Sequence, residues 1–348
     1  MMNKFTKIIT IVVLSVFPTS ALFAQFAASL ETINPDARST AMAGVGSATS
    51  PDVFSQHWNL AKYAFAKDTI GIGLSYTMWM TTADYSHNLF YLAGYYKLGK
   101  HTLSASARYS LGGNSEYRTA QGTLYDEQSQ NEFAIDLGYS RAFNSYFSMG
   151  FATRFLSLPK TEDAGNNIYV PERTSAIAFD LGLYFHYPVR EKDEFALGLT
   201  FKNLGTKVAL NDNTKSFLPM TMYLGSRYSW AVIDKHTLTG AIEISKPLVP
   251  RRQENKSVIE GLFSSFGNNV KEWGFSFGAE YSYDQNLFAR LGYHIGDVNY
   301  RNGVGSYISI GGGMFVWRTL SLDVSYMIST SGVASMSNNI RASLQYTF

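Results

Sequence analysis

Six histidines are the side chains best suited to acid–base chemistry in this chain: His57, His87, His101, His186, His236 and His294. The 348 residues include no cysteine. That excludes thiol catalysis, iron–sulfur clusters, Cys-based zinc sites and disulfides. No Gly-x-Ser-x-Gly elbow accompanies the histidines, so a hydrolase would have to assemble Ser, His and acid from separate segments. No His-Glu-x-x-His, EF-hand or phosphate loop is present. Gly44-Val45-Gly46 lacks the third glycine and the preceding strand of a nucleotide fingerprint. Asp212, between Asn211 and Asn213, reads as a turn cluster rather than a calcium loop. These residues predict no enzyme, no cofactor and no metal, and they read as hydrogen-bonded histidines of a scaffold.

The charge balance narrows the class further. There are 29 Lys+Arg and 27 Asp+Glu, and Lys4 and Lys7 fall in a leader with no acid. The remainder is then formally neutral, which excludes a nucleic-acid binder with its net basic face. Aromatic residues make up 15% and charged residues 16%, against about 25% charged in ordinary soluble domains. Residues 1–24 read as a cleaved signal peptide: Lys4 and Lys7, then an apolar core from Ile8 to Phe17, then Pro18 and small residues ending at Ala24. Beyond them no apolar run approaches the roughly 18–20 residues of a membrane-spanning helix.

The elements that must carry these residues are strands. From Ile70 onward apolar and polar residues alternate at period two. Ile340, Ala342, Leu344, Tyr346 and Phe348 share one face, while Arg341, Ser343, Gln345 and Thr347 share the other. Segments of this kind are expected at 69–79, 87–97, 101–111, 131–142, 145–157, 173–187, 193–204, 217–229, 235–246, 270–283, 286–296, 304–316, 319–329 and 338–348. Each approximates the roughly 9–11 residues with which a tilted strand crosses a bilayer. Tight turns alternate with longer loops, as in outer-membrane barrels. The expected fold is all-β: a 14-stranded antiparallel transmembrane β-barrel over 69–348, in the outer membrane of a Gram-negative bacterium. Residues 25–68 do not alternate and are expected to form a plug in the lumen or at its mouth.

The polar faces place Arg108, Arg154, Lys202, Arg227, Arg290 and Arg341 in the lumen with Glu132, Asp136, Asp180, Glu194, Glu243, Glu280 and Asp323. Mixed signs favour cross-strand pairing over a selective pore. Glycines 138, 150, 182, 198, 225, 278 and 292 on the same face leave room for something inside. Phe348, with Tyr346 and Leu344 on its face, resembles the C-terminal signal read by the bacterial barrel-insertion machinery. The loop 247–269 holds Leu248, Val249, Ile259, Leu262, Phe263 and Phe266, too apolar for simple solvation. It is expected either to insert into a partner or to fold over the mouth as a lid.

The stretch Asn34-Pro35-Asp36-Ala37-Arg38, then GVGSATSPDVFSQHWNLAKYAF at 44–65 with its Ser55-Gln56-His57-Trp58-Asn59 core, then GIGLSYTMWM at 71–80, resembles the PorV/PorQ family. These are outer-membrane proteins of the type IX secretion system of Bacteroidetes, similar in fold to FadL transporters. The resemblance implies a transport accessory rather than a pore. Its partners would be a very large SprA/Sov-like translocon barrel, the C-terminal signal domains of cargo and a PorU-like sortase-type attachment protease. Outer-membrane lipids and lipopolysaccharide would surround it. A FadL-like channel for hydrophobic small molecules is the alternative, and a lipid A deacylase a minor one.

Overall fold

The computed structural model describes residues 29–79, 87–118, 124–163, 169–211, 214–249, 256–267, 272–296, 305–331 and 339–348. The expected signal peptide and the Asp212 turn therefore lie outside the described residues. Fourteen strands close into one antiparallel barrel. They are β1 (Ile70–Trp79), β2 (His87–Leu98), β3 (His101–Leu111), β4 (Glu132–Ala142), β5 (Phe147–Asp163), β6 (Tyr169–Pro188), β7 (Glu194–Gly205), β8 (Thr221–Ile233), β9 (His236–Pro247), β10 (Gly274–Tyr283), β11 (Leu287–Ile295), β12 (Tyr307–Trp317), β13 (Leu320–Ser329) and β14 (Asn339–Thr347). Each pairs with its sequence neighbours, and β1 pairs with β14 from Gly71↔Thr347 to Met78↔Ile340. Closure leaves no open edge, which a sheet in lipid requires.

Burial alternates with the sequence, but inside out relative to a soluble barrel. On β1, Gly71, Gly73, Ser75 and Thr77 are buried while Ile72 and Leu74 are exposed. On β14, Arg341, Ser343 and Gln345 are buried and Ile340, Leu344 and Tyr346 are exposed. An apolar outer face and a polar bore are what a barrel wall in lipid demands. At the end that carries both chain termini of the barrel the connections are short. Gly99 (φ +61°) and Lys235 (φ +68°) turn two of them in the left-handed region, where glycine carries no Cβ penalty and lysine does.

The longer connections at the opposite end contain structure that alternation alone does not show. β5 and β6 extend beyond the expected ends at 157 and 173, pairing from Leu158↔Thr174 to Asp163↔Tyr169. Pro159 and Pro171 fall in this extension, where a two-stranded ribbon has outer edges that tolerate a missing N–H. The 112–130 loop contains a hairpin of Asn114–Arg118 with Leu124–Ser129. β8 begins at Thr221 rather than 217, because Phe217, Leu218 and Met220 turn inward around Pro219 and are buried.

Residues 29–66 lie inside this wall. They form a 3-10 turn (Ser29–Glu31), a short helix (Ala37–Ala41), another (Ser55–Trp58) and a second 3-10 segment (Leu60–Phe65). Asp36 caps the first helix, accepting from the backbone N–H of Ser39 at 2.9 Å. Asn59 does the same for the last segment through the N–H of Ala61 at 3.1 Å.

Candidate functional site

The motif residues of this inner segment are its anchors. Asn34 gives its carbonyl to Arg341 Nε at 2.8 Å, and Pro35 gives its carbonyl to Thr77 Oγ1 at 3.4 Å. Asp36 accepts from Trp58 Nε1 as well as from Ser39. The Ala37 N–H donates to Ser343 Oγ at 2.8 Å. Arg38 bridges to Asp52 within the segment at 3.1 Å and to Glu280 of β10 at 3.3 Å. Ser55 bonds Asp52 at 3.1 Å, and Gln56 Oε1 accepts from Ser104 of β3 at 2.6 Å. Asn59 donates to the carbonyls of Ser47 and Leu183, each at 2.9 Å. These contacts fall on strands all round the barrel, so the motif seats the segment against the whole wall.

Charge locks one side of it. Glu31 is completely buried and takes Arg108 of β3 at 2.9 Å and Arg154 of β5 at 3.0 Å. The same arginines hold Asp136 of β4, and Arg154 also holds Asp180 of β6 at 2.7 Å. His57 sits between Arg108 Nη1, 3.3 Å away, and Lys202 Nζ, 3.2 Å away. Burial and those two cations push its pKa well down, so the ring is neutral and accepts hydrogen bonds. On the far side Glu243 of β9 accepts from the N–H groups of Gly46 (3.0 Å) and Ser47 (2.7 Å). Nearby, Lys62 donates to Gly46 O at 2.8 Å, and burial pulls its pKa down to about 8. Buried charges are tolerated only when paired like this.

The lumenal glycines complete the seat. A Cβ at Gly198 would stand 2.0 Å from Ser47 O, and one at Gly182 would stand 2.2 Å from Asn59 Oδ1. A Cβ at Gly292 would lie 2.3 Å from the Ala43 nitrogen. The segment touches the wall wherever a side chain is missing.

The remaining histidines do not converge. His101 and His236 face outward and bond Tyr139 and Tyr281 hydroxyls at 2.6 and 2.7 Å. His186 stacks on Tyr184 and lies 3.5 Å from Glu194. His87 opens β2. His294 Nδ1 meets Ser276 Oγ at 2.8 Å, and no carboxylate meets its other nitrogen among the described residues. That is a hydrogen-bonded pair, not a triad.

The apolar outer loop divides in two. Leu248 and Val249 are each 1% exposed and pack with Phe217 and Met220 under the outer rim. A β-wall that ends at Pro247 turns them back onto the inward-folded 217–220 stretch, the fold-back alternative for this part of the loop. Val258–Ser265 forms a helix with a capping box, in which Glu260 N–H donates to Ser257 Oγ at 3.3 Å and Ser257 N–H to Glu260 Oε2 at 2.9 Å. Lys246 ties its end down, donating to Ser265 O at 3.1 Å. Ile259 and Phe263 stay 70% exposed and Phe266 59%, while Leu262 is half-buried. At the other end of the molecule Phe348 closes the barrel through two backbone bonds with Ile70 at 2.8 and 2.9 Å, and its ring packs on Tyr346. Leu344, Tyr346 and Phe348 all face outward.

Sequence reasoning did not single out Glu31, Ser47, Asp52 or Lys62. Glu31 had one usable signal, the sole glutamate of a segment expected to enter a lumen with unspent arginines. The others had none, since nothing local distinguishes a serine that will meet Glu243.

A model of the family described as "Type IX secretion system protein PorV" matches residues 24–254. No curated protein sequence matches the chain. Among solved structures, the Pseudomonas putida toluene transporter TodX is similar at 13% identity and a TM-score of 0.60, covering 89% of this chain and 97% of its own. The Ralstonia pickettii toluene transporter TbuX is similar at 14% identity and 0.55, covering 92% and 99%. The CymD monoaromatic hydrocarbon channel is similar at 13% and 0.56, covering 90% and 98%. At such identities these likenesses establish the barrel fold and nothing more.

Proposed function

The chain belongs to the PorV family of type IX secretion system proteins, and on that premise we propose that it is a shuttle rather than a pore. In this reading it docks on the very large translocon barrel, receives cargo by its C-terminal signal domain and carries it to a sortase-like attachment complex. The observation that carries the reading is the helix Val258–Ser265 at the outer rim. Ile259, Phe263 and Phe266 hold apolar rings and chains exposed, on a connection that follows the last residue of β9. A capped helix presenting such side chains suits a groove in another protein. A bore filled by a segment with ion pairs on several strands supports a role that needs no flow through the bore.

The test replaces Ile259, Phe263 and Phe266 together by serine. Folding of the barrel is checked by heat-modifiable gel mobility, and partners are recovered in mild detergent from the native outer membrane. The wild type is expected to bring down the very large barrel and the triple variant to lose it. Undiminished recovery by a folded triple variant overturns the reading.

The fold likeness supports a second reading, a channel for a hydrophobic small molecule. Against it stands the cost of unseating the inner segment, which means parting Glu31 from two buried arginines.

A further inference from the structure

A cavity of about 200 Å³ lies between the inner segment and the outer ends of the strands, open toward the outer rim. Its floor includes Asn34, Gly44 and Trp58, and its walls include Tyr223, Tyr307 and Arg341. Arg341 is unlike the other lumenal arginines. Arg108, Arg154, Arg227 and Arg290 each hold a carboxylate. Arg341 is 2% exposed, gives Nε to Asn34 O, and has no partner for Nη1. No carboxylate pairs with it among the described residues. Asp36, whose field reaches it, is already engaged by Ser39 and Trp58. An isolated buried guanidinium is among the costliest groups a fold can carry, and here it borders open volume.

We infer that this cavity binds a small organic anion, a carboxylate or its equivalent on a ring-sized apolar body, with Arg341 as its charge partner. The inference is independent of the shuttle reading. The volume suits one substituted ring, since an apolar cavity of about 150 Å³ holds benzene. Aromatic walls from Trp58, Tyr223 and Tyr307 match an apolar body, and the guanidinium fork matches a carboxylate. The acids that border the cavity do not compete for Arg341. Glu31 is held by Arg108 and Arg154, and Glu243 by the Ser47 and Gly46 amides. Glu272 stands two residues before β10 at the outer rim, with Oε2 unpartnered. Its charge turns the anionic end of a guest inward, toward Arg341.

The experiment is calorimetric titration of the full-length protein in a neutral detergent with benzoate and with benzamide, which has the same shape and no charge. Benzoate is expected to saturate one site at least tenfold more tightly than benzamide. Arg341→Gln should weaken benzoate at least tenfold and leave benzamide unchanged, and Arg341→Lys should keep most of the preference. Equal affinity for the two compounds, or no saturable binding of either, overturns the inference and leaves a water-filled vestibule. Where Arg341→Gln fails to give a heat-modifiable barrel, the benzoate-to-benzamide ratio of the wild type and of Arg341→Lys decides alone.

Discussion

Replacing Glu31 by Gln removes one charge from a cluster that is otherwise balanced. Glu31, Asp136 and Asp180 face Arg108, Arg154 and Lys202, all buried, with His57 neutral between two of the cations. The variant leaves one positive charge in excess among buried side chains. Breaking a buried pair costs about 3–5 kcal/mol. Arg108 keeps Asp136, and Arg154 keeps both Asp136 and Asp180, so the low end of that range applies. At about 1.4 kcal/mol per decade, a loss of about 3 kcal/mol opens the inner segment roughly 100-fold more often. The absence of cysteine makes the assay clean. Thr40 is fully buried and its hydroxyl has no partner, so Thr40→Cys loses one methyl group and no hydrogen bond, and its maleimide labelling reports opening. When reclosure is fast, the labelling rate follows the open population. Labelling of Thr40→Cys should speed up by about two decades in the Glu31→Gln background, and much less in Glu31→Asp. Rates equal within a factor of about three, far below the two decades of the buried-pair estimate, would refute the idea that this charge seats the segment.

Three further outcomes follow from the same geometry. Gly198→Leu should displace the inner segment without preventing barrel closure, because even a Cβ there falls 2.0 Å from a backbone oxygen of Ser47; ion conductance in planar bilayers should rise, and an unchanged trace counts against close seating. Burial and the nearby Asp52 charge push Asp36 up from 3.8 to about 6, so the seated state binds more protons than the released state between those values. The Asp36 contribution to seating is then fully present below about pH 4 and is lost as pH rises through about 6. Lys62 acts only above its value of about 8. His57, held well below its ordinary value when seated, acts in the opposite sense as pH falls below about 6.5, so the Asp36 contribution is read by difference: Asp36→Asn should raise the pH 5 to pH 7 ratio of thiol-corrected Thr40→Cys labelling above that of the parent. Deleting Phe348 removes its two bonds to Ile70 and its packing on Tyr346; the yield of heat-modifiable barrel should fall, while a normal yield would deny the terminal aromatic a role in insertion.

The wall was legible because period-two alternation is a local signal that survives tertiary context when one face meets lipid and the other a polar bore. Strand β3 begins at His101 and ends at Leu111 as its alternation indicates. The pairing of opposite charges was legible too, since Asp136 and Arg154 fall on adjacent strands in register. What stayed hidden depends on long-range meeting. Glu31 finds Arg108 77 residues along the chain and Arg154 farther still, and no local pattern encodes that. The outer ribbon lies in 158–172, expected as a loop, and its prolines sit where an edge tolerates a missing N–H. The outer helix was partly legible: Ser257-x-x-Glu260 before an apolar run is a capping-box signature, masked by reading the whole loop as one apolar patch.

The most direct measurement of the shuttle reading is a cross-link from the outer helix in the native membrane. Phe263→Cys, the chain's sole cysteine, is loaded with a benzophenone maleimide and irradiated in whole cells. The account predicts an adduct with the very large translocon barrel, and loss of that adduct when the probe is moved to a wall position such as Leu137, exposed to lipid. Adducts with lipid alone from position 263, in cells that secrete normally, would contradict it.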